Sequence, residues 1–265
     1  MPLTPNYLNI LLKPFHRKLS GHMKIFKKLL SAQVSYNFLG ILLPWSACSA
    51  LVLIIYGLIG GLILAPADYQ QGDGFRIIYI HAPAAFLSLT IYAAMAFFAL
   101  INLVWRIKLA NFSVTAAAPI GFAFTLIALI SGSFWGKPMW GTWWIWDARL
   151  TSELILLFIY IAVIALTHSL HELQPHSLPR NIFVLIGAIN LPIIHYSVYW
   201  WNSLHQGATL TLRGPSHIAP AMLRPLLAMI IGFSCLFLMI WMMRLRNLIL
   251  WDARKTRWVR FMAEA

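Results

Sequence analysis

Charge is what this 265-residue sequence has least of. Asp, Glu, Lys and Arg together make up 10% of it, and only 7 residues are acidic. A soluble domain carries about 25% charged and about 45–50% apolar residues, whereas 60% of this chain is apolar. That deficit excludes a soluble globular enzyme, a disordered chain and a secreted disulfide scaffold. Cysteine is almost as scarce. Cys48 and Cys235 both fall inside apolar runs, so neither a disulfide nor a Cys-based metal site is expected. The basic start is followed by a long apolar run with no small-residue cleavage site, so no cleavable signal is expected. No period of 20–50 residues suggests repeats.

What is present is apolar length. A membrane helix needs about 20 mostly apolar residues, and charge is the most costly thing to place in it. The charge-free gaps are 29–67, 77–105, 109–136, 154–171, 181–212 and 225–243. Each holds one helix. The first has a polar start through Asn37, which predicts a helix over 42–65, and the fifth ends in Trp200–Gly207, which reads as a loop. The predicted fold is an all-α polytopic membrane protein with six transmembrane helices. Its organisation is a basic segment 1–41, a six-helix domain 42–245 and a basic tail 246–265.

The net charge of +13 would suggest nucleic acid in a soluble protein. Here the basic residues lie between apolar runs, so membrane topology explains them and no nucleic-acid partner is expected. With both termini cytoplasmic, 15 Lys and Arg fall inside, Arg180 among them, against 5 outside: Arg76, Lys137, Arg149, Arg213 and Arg224. That is the cytoplasmic bias of basic residues. Three loops then face outward: Pro66 to about Ile80, Ser133 to Ser152, and about Trp200 to Met222. Function is sought there, because the inner loops are short. Residues 1–40 read as a cytoplasmic surface helix or tail, with Met23 an alternative start.

Three motifs fail on inspection. His171-Glu172-Leu173-Gln174-Pro175-His176 has its second His one residue too late for the shared helix face of a zinc protease. Gly132-Ser133-Phe134-Trp135-Gly136-Lys137 lacks one residue of a P-loop and runs into Pro138. No C-x-x-C-H run occurs, so the chain is not itself a c-type cytochrome.

The second outer loop holds Trp135, Trp140, Trp143, Trp144 and Trp146, five of the twelve Trp. An interfacial aromatic belt is the bland alternative, but a belt needs one or two Trp per helix end. Five in a stretch interrupted by Gly and Pro make a wide apolar platform suited to a large planar ligand. Asp147 and Arg149 close the loop. Both count with the five Trp as candidate ligand-binding residues. Helix capping is the bland role for Asp147 or for the Thr151/Ser152 pair. Arg149, Arg76 or Lys137 can meet an anionic ligand group, with lipid phosphate the alternative for Arg149. Glu153, near the membrane boundary, needs a partner such as Arg149 or Arg76.

Two histidines flank the platform, His81 in Tyr79–Ala85 and His205 in Asn202–Gly207. A lone His near a membrane is more often structural than a ligand. A pair beside an aromatic shelf changes that weighting. Haem is planar and carries two propionates, and its iron takes axial imidazole from both faces. His195 reads as a structural or supporting residue, and His217 is the weakest candidate. His16, His22, His168, His171 and His176 read as solvated residues of the inner side.

The stretch Trp135–Glu153, with its Trp-Gly-x-x-Trp-x-Trp-Asp core, resembles the signature of the haem-handling WWD-domain proteins. Together with Ala65–Gly72, Ile78–Ala85 and Asn190–Gly207 it resembles the cytochrome c maturation protein C family of bacterial inner membranes, over roughly residues 40–250. The resemblance implies six membrane helices and a periplasmic WWD segment. It implies haem b, carried as cargo, held between His81 and His205. It implies delivery to a membrane-anchored haem chaperone, the E protein, beside an ABC transporter of A and B proteins and a small D protein. Such a protein is not an enzyme. A WWD-type haem lyase is the runner-up, but those chains are larger. A carrier of another substrate, or a scaffold, are further alternatives.

Overall fold

The structure is a computed structural model and describes residues 31–169, 177–205 and 218–264. Within them, six helical segments are long and apolar enough to cross a membrane: Ala32–Leu64, Asp73–Trp105, Lys108–Trp140, Ala148–Ser169, Leu178–Trp200 and Pro220–Ala253. Helix suits this composition, because it satisfies every backbone polar group internally where no water is available.

Helix α1 (Ala32–Leu58) opens on Ser31, whose hydroxyl accepts the Val34 N–H at 3.4 Å, and passes into one wide turn over Ile59–Leu64. It therefore starts ten residues before the predicted 42. Asn37 is polar but uncharged, and the N-terminal turns of a span tolerate such a residue where they tolerate no charge. A tight turn at Asp73–Ile77 leads into α2 (Ile78–Trp105). The α2–α3 corner is short. Arg106 takes the left-handed conformation (φ 54°), its N–H donates to the Asn102 carbonyl at 2.9 Å, and α3 (Lys108–Trp140) begins two residues on.

Helix α3 corrects the expected loop over 133–152. It runs on to Trp140, and α4 (Ala148–Ser169) follows after a connector of residues 141–147. Gly136 and Pro138, read as loop formers, are both helical. Pro138 sits in the last turn, where losing one backbone bond costs little, and Gly141 (φ 76°) closes the helix by donating to Lys137 O at 3.0 Å.

The fifth span is broken in two, α5 (Leu178–Gly187) and α6 (Asn190–Trp200). Pro192 lacks an N–H to continue the ladder, and Asn190 beside the break donates to Ser152 O on α4 at 2.9 Å. Helix α7 (Pro220–Ala253) is the last span, and α8 (Arg257–Glu264) is a short basic helix after it.

The main core lies between α2, α3, α4 and the α5–α6 pair, around Tyr92, Met95, Leu156, Tyr160 and Ile194. Helix α1 packs chiefly on α7. Where α5 begins, beside the α2–α3 corner, Arg180, counted among the inner basic residues, is wholly buried. It donates to Thr115 Oγ1 at 2.7 Å and to the Asn111 and Asn181 side chains, and Asn181 reaches Asn102 at 2.7 Å. Cys48 and Cys235 are free thiols.

Candidate functional site

His81 lies in the first turn of α2. The turn before it is held by Arg76, which donates to Asp73 at 2.9 Å and to Gly61 O at 2.9 Å. The imidazole Nδ1 lies 3.1 Å from Ala128 O and 3.2 Å from Ser131 Oγ, both on α3. A carbonyl can only accept, and the Ser131 hydroxyl gives its own proton to Ile127 O at 2.6 Å. Nδ1 must therefore carry the ring proton, leaving the Nε2 lone pair open to a metal. This is the usual arrangement of a metal-binding His. Gly132 makes the approach possible, since a Cβ there would lie 3.0 Å from His81 Cε1. Trp135 packs edge-to-face on the imidazole at 5.6 Å, and its indole N–H donates to Gln71 Oε1 at 2.9 Å.

His205 comes from the segment after α6. Its backbone N–H donates to Ser203 Oγ at 3.0 Å, and the Ser203 hydroxyl donates to Asp147 Oδ2. Its ring lies 6.4 Å from the Trp140 ring and 6.3 Å from that of His81. An imidazole binds a metal ion at about 2.0 Å from nitrogen, so two rings sharing one ion from opposite sides have centres about 6 Å apart. The observed spacing has that value.

The two imidazoles line one cleft of about 310 Å³, within the range of small-molecule sites. Trp135, Trp140, Trp144 and Arg149 also line it, and so do Gln71, Gly132, Glu153 and Leu204. Three of the five predicted platform tryptophans therefore wall the cleft. Trp143 and Trp146 do not. They are 51% and 76% exposed, with Trp143 edge-to-face on Phe134 at 5.5 Å and Trp146 on Trp144 at 5.5 Å. Trp144 Nε1 is buried and has no hydrogen-bond partner among the described residues.

Asp147 stands behind the cleft rather than in its wall. Its Oδ1 accepts the Leu150 N–H at 2.8 Å and its backbone carbonyl accepts the Thr151 N–H at 3.0 Å, so it caps α4. Arg149 lines the cleft and donates to Ile194 O at 2.7 Å with one of its five N–H groups. Of Arg149, Arg76 and Lys137, which the charge count places on the outer side, Arg149 is the one in the wall. Arg76 is committed to Asp73 and Gly61, and Lys137 bonds Gly141 O at 3.0 Å. Glu153 is buried, and its direct partner is the Ser88 hydroxyl at 2.6 Å. Neither Arg149 nor Arg76 forms an ion pair with it among the described residues.

His195 is outside the cleft, exposed and edge-to-face on Tyr196 at 4.7 Å. His168 is exposed near the end of α4. His16, His22, His171, His176 and His217 lie outside the described residues. Sequence reasoning missed Gln71, Ser131, Gly132 and Ser203. No local pattern marks them, because each acts on a side chain from a different element.

The chemistry open to this arrangement is narrow. Among the described residues no group of three or more His, Cys, Asp or Glu could hold a metal ion. A metal bound by His81 and His205 must bring its remaining ligands with it. A flat macrocycle that supplies the equatorial donors fits a cleft with two imidazoles and indole walls.

Known proteins resemble this chain along most of its length. The family model described as "Heme exporter protein C" matches residues 25–260. The chain is 54% identical over 224 residues to "Heme exporter protein C" of Escherichia coli K12, covering 84% of this chain and 90% of that protein. It is 45% identical over 232 residues to the protein of the same name from Haemophilus influenzae, covering 88% and 94%. A "Putative cytochrome c biosynthesis ccmC-like mitochondrial protein" of Marchantia polymorpha is 45% identical over 188 residues, or 71% of this chain and 79% of that protein. A match along nearly all of the described helices, at these identities, means that the chain belongs to the heme exporter protein C family.

Proposed function

We propose that this protein takes part in haem export for cytochrome c maturation by binding haem at the periplasmic face of the bacterial inner membrane. His81 and His205 ligate the iron from opposite sides, and the propionates meet Arg149. The observation that carries the reading is the 6.3 Å spacing of the two rings inside one Trp-walled cleft. The orientation rests on the 15-to-5 distribution of Lys and Arg, which keeps both termini and α8 on the cytoplasmic side.

The protein residues bind and orient, and none is asked to make or break a covalent bond. Trp135, Trp140 and Trp144 bury the ring faces, where aromatic contact adds to apolar burial. Arg149 offers charge-assisted hydrogen bonds, roughly twice as strong as neutral ones. Filling both axial positions keeps oxygen off the iron. Trp143 and Trp146 stand outside the cleft and are free to meet a recipient. The recipient is the membrane-anchored haem chaperone, the E protein, with the ABC-type A and B proteins and the small D protein completing the assembly within the lipid. Haem b is cargo, so its affinity is moderate: bound tightly enough to be captured, weakly enough to be given up.

The test is a visible spectrum of the full chain purified in detergent after expression with haem supply. The expected result is a low-spin, bis-imidazole spectrum that His81→Ala together with His205→Ala abolishes. Unchanged haem content and unchanged low-spin bands in that double variant would overturn the ligation. Haem transfer to the purified E protein, followed by its spectral change, tests the delivery step separately.

A further inference from the structure

His205 lies in a short irregular segment, yet its ring must stay within axial reach of the same iron as His81. Something has to fix the segment, and two hydrogen bonds of Ser203 do so. The Ser203 hydroxyl accepts the His205 backbone N–H at 3.0 Å and gives its proton to Asp147 Oδ2. The other oxygen of Asp147 accepts the Leu150 N–H at 2.8 Å at the start of α4. Both oxygens of Asp147 are thus engaged by protein donors, and the residue is not part of the cleft wall. The chain of bonds runs from the first turn of a membrane helix, through a carboxylate and a hydroxyl, to the backbone of a ligand histidine. It spans 56 residues of sequence in one step.

We propose that Ser203, acting with Asp147, is the positioning residue that sets the placement of His205 opposite His81. This rests on the ligation reading above. Ser203 touches no cargo; it decides where the second imidazole stands. A helix cap is a rigid anchor, since its backbone bonds belong to α4, and a carboxylate acceptor makes the Ser203 bond a charge-assisted one. The hydroxyl is well suited to the joint because it donates and accepts at once. Alanine does neither, and threonine does both.

The experiment compares Ser203→Ala and Ser203→Thr with the unaltered full chain, each loaded with haem in detergent. Ser203→Ala is expected to retain haem on His81 while losing the low-spin bands in favour of a five-coordinate, high-spin spectrum. Free imidazole added to the buffer is expected to restore the low-spin bands, because it fills the position that His205 has left. Ser203→Thr is expected to keep the wild-type spectrum. A low-spin spectrum in Ser203→Ala identical to that of the wild type overturns the proposal. So does loss of all haem in both Ser203 variants, which would mark the site as structural. The ligation reading fails by a different result, a wild-type spectrum in the double His variant, so the two failures are distinct.

Discussion

Adding one methyl group at Gly132 gives a quantitative test of the site. A Cβ built there lies 3.0 Å from His81 Cε1 and 3.4 Å from its Nδ1. Optimal carbon contacts are about 3.5–4.0 Å, so the imidazole must retreat by roughly half an ångström. It retreats away from α3, the helix that also carries the Ala128 and Ser131 acceptors at 3.1 and 3.2 Å. Overpacking of this kind costs about 1–3 kcal/mol. Disturbing the outer hydrogen bond of a metal-binding His costs about 10–100-fold in metal affinity, which is about 1.4–2.8 kcal/mol and agrees with the packing figure. Gly132→Ala is therefore expected to weaken haem binding 10–100-fold and to shift part of the population to high spin. A haem titration in detergent, followed at the Soret band, measures both. Gly74→Ala is the control, because its Cβ would meet only Met139 Cε at 4.0 Å, and it is expected to bind as the wild type does. Unchanged affinity and unchanged low-spin bands in Gly132→Ala would refute the packing of His81 against α3.

Three further outcomes follow from the same contacts. Arg149→Gln is expected to lower affinity for haem about tenfold, the loss of one charged hydrogen bond, while leaving affinity for the haem dimethyl ester unchanged. Equal losses for the acid and the ester would mean that the guanidinium does not meet the propionates. Gln71→Leu removes the acceptor of the Trp135 N–H and is expected to cost about 1 kcal/mol of thermal stability, with a measurable red-shift of tryptophan emission as that indole loosens. At the opposite end, Lys108 pairs with Asp252 across α3 and α7. Lys108→Ala is expected to cost less than about 1 kcal/mol, since the pair is partly solvated, and a difference in melting temperature that persists in high salt would contradict that.

The spans were legible because charge in a bilayer is costly, so gaps between charged residues outline the helices. Helix ends were less legible. Asn37, Gly136 and Pro138 carry no charge penalty, and the ends of the helices around them were decided by packing and capping rather than by composition. Within the site, the aromatic and imidazole residues announced themselves by density and position. Their supports did not. Ser131 is 50 residues from His81, and Ser203 is 56 from Asp147. Such pairs exist only once helices are docked, and a single sequence carries no record of which faces meet. Arg180 shows the same limit from the other side. It counts with the inner charges, yet docking seals it among Asn111, Thr115 and Asn181.

That sealed guanidinium restricts how the molecule can move. It joins α5 to α3, while Asn181 extends the same knot to α2. Parting those helices would take from the guanidinium its Asn111, Thr115 and Asn181 acceptors, and hydrogen bonds to a charged group contribute about 1.5–3 kcal/mol each. Those three helix ends are therefore tied to one another, and under the haem-binding reading proposed above the guest enters and leaves at the opposite rim, beside residues 141–147 and 201–205.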